Sequence, residues 1–558
     1  MNKLINAFVA QYKTDVSKYE ASPTEENASA VLDDLLLLQR MRLYGEKTAY
    51  GIYSAQFDSW IGKLYLNGES SDFYEKRYQF SINELIAASV LPQMSEITVG
   101  SGEICNIQYN DKVGYYATLT GSDGEITYIS EIAKRIATGV TVNGKLYLNA
   151  SSSKPLILGY VDTGASAVAG AVSGKVKIDE LYQSNDNLTL AAASGGSIYC
   201  SDLYLRNCNY NSSENTHLTA KNLNMSGSFS GGVIEVTGNV SGSNGNIPEI
   251  ILNGTGTQYL NGTLTIGKMT ASPPQLNIAG TMKVSDAVFN NSVSKVAGAF
   301  TADDLVVSGG SLQILKSSAT AAVGSMVLNN VSTSILRPVQ TEILNINGGS
   351  FDSSANMTVS KKLYGSTAYI QNGKNIILSG GYLSGGIFNG SLSSVNGKIS
   401  AADIKGILYD SGGTSYSGTV NVNGLLMKGA SSVNDGTVIN SRGSVDFSTE
   451  GNLSNKVILK VAGDLSSGSA KTLDADIWMN GKSKQNIKGD FSVNELHFNG
   501  NSDINVENNI NVSSLLENNG CKVTGNAVFL QDGGTLKNNY FNGSVSVKGM
   551  SADQNIYI

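Results

Sequence analysis

Two stretches decide the reading of this sequence: EIILNGTGTQYLNGTLTI at residues 249–266 and DIWMNGKSKQNIKGDFSV at 476–493. They align without a gap at an offset of 227. Ile250 matches Ile477, Asn253 matches Asn480, Gly254 matches Gly481, Gln258 matches Gln485, and Gly262 matches Gly489. The apolar positions match as well: Leu252 with Met479, Leu260 with Ile487, Leu264 with Phe491, and Ile266 with Val493. Apolar residues fall at every second position on either side of a Gly or Asn. That is the period of a strand with one buried face, interrupted by a corner. Gly and Asn suit the corner because both accept a bend or a positive φ. After one residue of slippage, LNIAGTMKV (276–284) aligns with INVENNINV (504–512).

The same strand–corner–strand unit recurs from about residue 140 to the end, as in VTVNGKLYLN (140–149) and VNVNGLLMKG (420–429). Gly262 and Gly280 occupy equivalent corners of successive units. They are 18 residues apart; spacings of roughly 18–25 residues are the size of one solenoid coil, which over about 420 residues predicts roughly 17–22 coils. A single coil has too little apolar surface to stand alone. Stacking makes a continuous core of Val, Ile, Leu and Ala, with backbone hydrogen bonds running along the axis. Asn and Ser at equivalent corners can stack on and bond their neighbours.

Composition agrees with this. Of 558 residues, 62 are Gly, 7 are Pro and 15% are charged, against about 25% charged in ordinary soluble domains. Identical charges stacked coil on coil would repel, so low charge fits a stack. At 41% hydrophobic the chain is not of disordered composition. The fold class predicted is mainly β: a long parallel β-solenoid (β-helix) with a small N-terminal α-helical domain.

The domain boundaries follow from the change in pattern. Residues 1–92 read as a helical anchoring or capping domain. Leu4, Ile5, Phe8, Val9, Tyr12, Val16 and Tyr19 make a first helical stripe. Ser22-Pro23-Thr24-Glu25 then reads as a second helix start, capped by Ser22. Further helices are predicted at 50–67 and 81–92. Residues 93–138 are a mixed transition segment, strand-like over 96–120 and helical over 130–137. Residues 139–558 are the solenoid.

The pattern Gly254-x-Gly256-x-Gln258-x-Leu260-x-Gly262, with its strand-Gly-strand units, resembles β-helical surface proteins of bacteria and their phages. These include filamentous adhesins, β-strand-repeat surface proteins and tail-fibre or tailspike shafts. The resemblance covers about three quarters of the chain. It implies a non-enzymatic, elongated structural or adhesive component of a multi-subunit surface or appendage assembly. Self-association, other subunits, and a glycan or cell-surface receptor are the partners it suggests. Two alternatives stand beside it: a tailspike-type β-helix enzyme acting on polysaccharide, and a self-assembling filament protomer without a ligand.

The chemistry in the sequence is sparse. Net charge is −7 with no long basic run, which argues against a nucleic-acid partner. The four cysteines, Cys105, Cys200, Cys208 and Cys521, contain no CxxC pair, and His217 and His497 are the only histidines. Zinc spacing is therefore missing, and no phosphate loop, calcium repeat or other cofactor motif occurs. Cys200 and Cys208 could meet across one turn; the competing reading is buried free thiols. Both histidines read as ordinary outer or edge residues. Carboxylate candidates for glycan cleavage are Asp303 with Asp304, Asp474 with Asp476, and Asp179 with Glu180. No signal-peptide h-region and no membrane span is seen; the expected location is extracellular, cell-surface or virion-associated, so the chain leaves the cell by another route, belongs to a virus-like particle, or else stays inside. The structural repeat residues are Gly254, Gln258, Gly262, Gly280, Gly481, Gln485 and Gly489. The candidate assembly residues are Tyr50, Tyr53 and Trp60, in a tyrosine-rich segment, together with Tyr557 and Ile558, which end the chain as an open strand.

Overall fold

The computed structural model describes residues 2–24, 26, 27, 30, 31, 33 and 34, then 96–537 apart from 111–113, 125, 131–138, 152–153, 164–170, 174, 184–190, 193–196, 212–216, 231, 501–502, 527 and 532–533. The helices read at 50–67, 81–92 and 130–137 lie outside these residues, wholly or all but Ser130, as do Tyr50, Tyr53, Trp60, Tyr557 and Ile558. The described chain is mainly β, a parallel β-solenoid of about 18 turns. It divides into two units, 1–251 and 252–558.

The first unit opens with the helix Asn2–Ala21. Tyr12, Asp15 and Tyr19 are buried on one face, as the three-and-four spacing requires. The next helical turn begins differently from the reading above. Thr24, not Ser22, is the cap: its Oγ1 accepts the Asn27 N–H at 3.3 Å. Ser22 instead closes the first helix, donating its N–H to the Lys18 carbonyl at 2.8 Å.

The strand Glu96–Val99 pairs in parallel with Gly139–Val142, and that strand pairs with Leu156–Thr163. The parallel ladder thus reaches back into the segment read as transitional. Between its first two rungs, Ile104–Asn110, Gly114–Thr120 and Ile126–Ser130 form an antiparallel meander. Lys145–Asn149 joins the meander in parallel. Rungs Lys175–Gln183, Ser197–Asn211 and His217–Ser230 continue the stack.

In the second unit the coil is regular. Thr263 lies beside Thr281, and Met282 beside Phe300, each partner one coil further along the chain. Strands Gln275–Ile278, Val293–Val296 and Ser311–Ile314 form a second parallel face. Inward residues are fully covered: Leu264, Ile266, Met269, Leu276 and Ile278 are each at most 1% exposed. Each such side chain stabilises the coil by roughly 1.5–3 kcal/mol. Among the described residues Arg337 is the largest fully buried side chain, and it works as a cross-coil staple. Its guanidinium donates to the carbonyls of Ala297 (2.8 Å) and Gly298 (2.5 Å) and to Ser317 Oγ (2.7 Å).

One corner shows how the sequence meets the stacking constraint. Asn291, Gly309, Asn330 and Gly348 follow one another coil by coil, with φ of 50°, 70°, 53° and 80°. A Cβ at Gly309 would lie 2.2 Å from Asn291 Oδ1, and one at Gly348 would lie 2.3 Å from Asn330 Oδ1. Asn tolerates the left-handed backbone, but its amide fills the space beneath the next coil. The next coil must then be Gly, and the column alternates.

This alternation predicts a non-additive mutant pair. Gly309→Ala should cost about 2–4 kcal/mol, combining left-handed strain with overpacking. In an Asn291→Gly background the same change should cost only about 1–2 kcal/mol, the strain alone. Chemical denaturation of the four proteins checks this; equal costs in both backgrounds would contradict it.

Candidate ligand-binding face

The matched repeat segments place their residues alike. Gln258 and Gln485 are both completely buried. Gln258 Oε1 accepts the Gly254 N–H at 3.0 Å, and Gln485 Oε1 accepts the Gly481 N–H at 2.9 Å. Gln485 Nε2 also donates to the carbonyls of Val461 and Gly463, at 3.0 and 2.6 Å. The glutamine thus closes its own corner and ties it to the coil before. Gly262 and Gly489 take φ of 88° and 99°. A Cβ at Gly280 would sit 2.1 Å from the Gly262 carbonyl, so that corner needs glycine for close approach. In both segments these residues shape the corners and tie them together. Gln485→Leu should strand the Gly481 N–H and two carbonyls and cost roughly 1–3 kcal/mol. Thermal unfolding measures this, and an unchanged melting temperature would contradict it.

The carboxylate candidates do not converge. Asp303 and Asp304 are both exposed at a corner, with Ala302 and Leu305 turned inward. Asp474 and Asp476 do not share a face, because the strand Lys471–Met479 shifts register between Leu473 and Asp476. Asp474 is exposed, whereas Asp476 is buried and accepts from Asn494 Nδ2 at 2.7 Å. Cys200 is a free, buried thiol, and burial raises its pKa. The His217 side chain lies outside the described residues. Among the described residues no group of three or more His, Cys, Asp or Glu could hold a metal ion, and no helix is long and apolar enough to cross a membrane.

His497 is not the outer or edge residue read from sequence. It is 3% exposed and stands in a column set by ladder register: Lys460, Trp478, His497, Glu517, Lys537. The Trp478 and His497 rings stack at 3.9 Å and 11°. His497 Nδ1 lies 2.8 Å from Glu517 Oε2, and Nε2 lies 3.0 Å from Glu495 Oε2. Two carboxyl groups thus flank the ring, one at each nitrogen. The His497 hydrogen bond holds the Glu517 carboxyl below its usual value against the upward push of burial, and Lys537 adds to the lowering. A lowered folded-state value adds stability that is complete above the ordinary value of 4.5 and is lost as pH falls through the folded value. Glu517→Gln should therefore lower the melting temperature at pH 7 and flatten its fall below pH ~4.5. Parallel melts of both proteins from pH 7 to 3 check this; identical pH profiles would contradict it.

Sequence reasoning missed a second constellation, on the outer face of the first unit. Register brings Tyr160, Glu180, Asp202 and Asn222 into one column. Asp162, Tyr182, Tyr204, Asn224 and Ser241 form the column beside it. Tyr182 and Tyr204 stack at 4.6 Å and 8°. The Tyr182 hydroxyl donates to Glu180 Oε2. Asn222 Nδ2 donates to Asp202 Oδ1 at 2.9 Å, and Asn222 Oδ1 accepts the Asn239 N–H at 2.9 Å. Between the columns runs a groove of about 240 Å³ lined by Asp202, Tyr204, Asn222, Asn224, Asn239 and Ser241. That is below the roughly 300–1,000 Å³ of small-molecule pockets. The groove presents amides, a serine hydroxyl, one carboxylate and the Tyr204 side chain. Only Glu180 among these was singled out in the sequence. The near-equal steps from Glu180 to Asp202 and from Asp202 to Asn222 are the signal that a coil register would have revealed.

No protein-family model, curated protein or solved structure matches the chain.

Proposed function

We propose that the chain is a non-enzymatic structural or adhesive component of a multi-subunit surface or appendage assembly. The observation that carries this reading is the groove at Asp202, Tyr204 and Asn222. It is a row of polar groups held on a hydrogen-bonded ladder, suited to contact and not to bond cleavage. A glycosidase needs one carboxyl in apolar surroundings to act as acid and a second to attack or activate water. Here Glu180 is exposed and accepts from Tyr182, and Asp202 accepts from Asn222.

A polysaccharide-cleaving enzyme is the second reading, favoured by Glu180 and Asp202 on adjacent rungs of one face. The two separate in one experiment. Purified protein is incubated with a panel of neutral and acidic polysaccharides, and new reducing ends are counted. The structural reading predicts none above background, with the protein sedimenting as an oligomer or appearing as an assembly by electron microscopy. Cleavage abolished by Glu180→Gln or Asp202→Asn would establish the enzyme instead.

A further inference from the structure

We infer that the groove between the Asp202–Asn222 and Tyr204–Asn224–Ser241 columns takes an uncharged glycan strand. The inference rests on the reading of the chain as a binding scaffold and names the class of ligand.

The lining decides the charge. Among the described residues it holds Asp202 and no Lys, Arg or His. Glu180 stands one rung from Asp202, and Asp162 one rung from Tyr182 in the neighbouring column. A phosphate, sulfate or uronate would meet these carboxylates with no cation among the described lining residues. Each like pair costs about 1 kcal/mol at ~4 Å in water, and more where the wall excludes solvent. Among the described residues the lining offers no apolar pocket for a lipid or aliphatic chain: the Leu203 and Leu223 side chains are buried in the coil.

The donor and acceptor set decides the chemistry. Asn224 carries an amide with both a donor and an acceptor end, Asn222 has a second N–H and a second lone pair beyond its bonds to Asp202 and Asn239, and the Ser241 hydroxyl can accept while it donates to the Leu223 carbonyl. The best match is a ligand whose groups both donate and accept and recur along its length. Adjacent sugar hydroxyls do so, and the C–H face of a sugar ring can rest against the Tyr204 ring. Repetition favours a polymer, since equivalent outward groups recur at about 4.8 Å along the ladder.

The test uses the full chain and defined probes. Affinity electrophoresis is run in gels containing dextran, galactomannan, hydroxyethyl cellulose or polygalacturonate. Retardation by at least one neutral polymer is expected, with binding weakened about tenfold in Tyr204→Ala and partly restored in Tyr204→Phe. Because Tyr204 also stacks on Tyr182, the exposed Asn224→Ala is the second variant, and it too should weaken retardation while the melting temperature holds. Retardation by polygalacturonate alone, by no polymer, or to the same extent in both variants as in the unaltered protein would overturn the inference. The cleavage and assembly measurements decide the structural reading separately, so a null result here leaves that reading standing.

Discussion

Backbone hydrogen bonds along the coil axis are the constraint on which the rest depends. They fix each residue against its equivalent one coil away, as Thr263 is fixed to Thr281 and Asn421 to Asn440. Every outward side chain must then tolerate its own stack. Amides do this well: Asn440 Nδ2 donates to Asn421 Oδ1 at 2.8 Å, and Asn347 Nδ2 donates to Asn329 Oδ1 at 2.9 Å. Charges do it only with compensation, as in the column where Glu517 is bracketed by His497 and Lys537. The low charge and the wealth of Asn, Ser and Gly follow from this rule.

The same rule makes the outer surface a set of columns, and columns are what a binding face needs. Residues a full coil apart in sequence become neighbours without a loop having to order on binding. The groove at Asp202 and Tyr204 is built this way, its walls held by the Asn222–Asp202 bond and the tyrosine stack. A preorganised polar surface loses little entropy when a ligand arrives. The interior contributes rigidity: the buried Asp410 carboxylate takes hydrogen bonds from the Gly412 N–H and the Thr414 and Tyr416 hydroxyls, all within its own coil.

The coil was legible in the sequence because period-two burial and corner glycines are local signals. Gly262 and Gly280 set the coil length directly. The Gln258 and Gln485 match marked a repeat position, and the structure adds that both side chains close their corners with the same bond. The faces were not legible, because a face depends on register across coils of unequal length. The step from Phe300 to its partner Ala321 is longer than the step from Met282 to Phe300. Bulges such as the one after Leu473 then move a residue from one side to the other, which is how Asp474 and Asp476 came apart. His497 looked peripheral for the same reason: its partners Trp478 and Glu517 each lie a full coil away along the chain.

Register is thus the central claim, and a spin-label distance tests it most directly. Thr257 and Ser350 occupy one outward column of the second unit, five rungs apart through Gln275, Val293, Ser311 and Ser332. Labels at these two positions, measured by double electron–electron resonance, should give a narrow distribution near about 24 Å, five steps of about 4.8 Å. A broad distribution, or a distance far from that value, would contradict the in-register parallel stack.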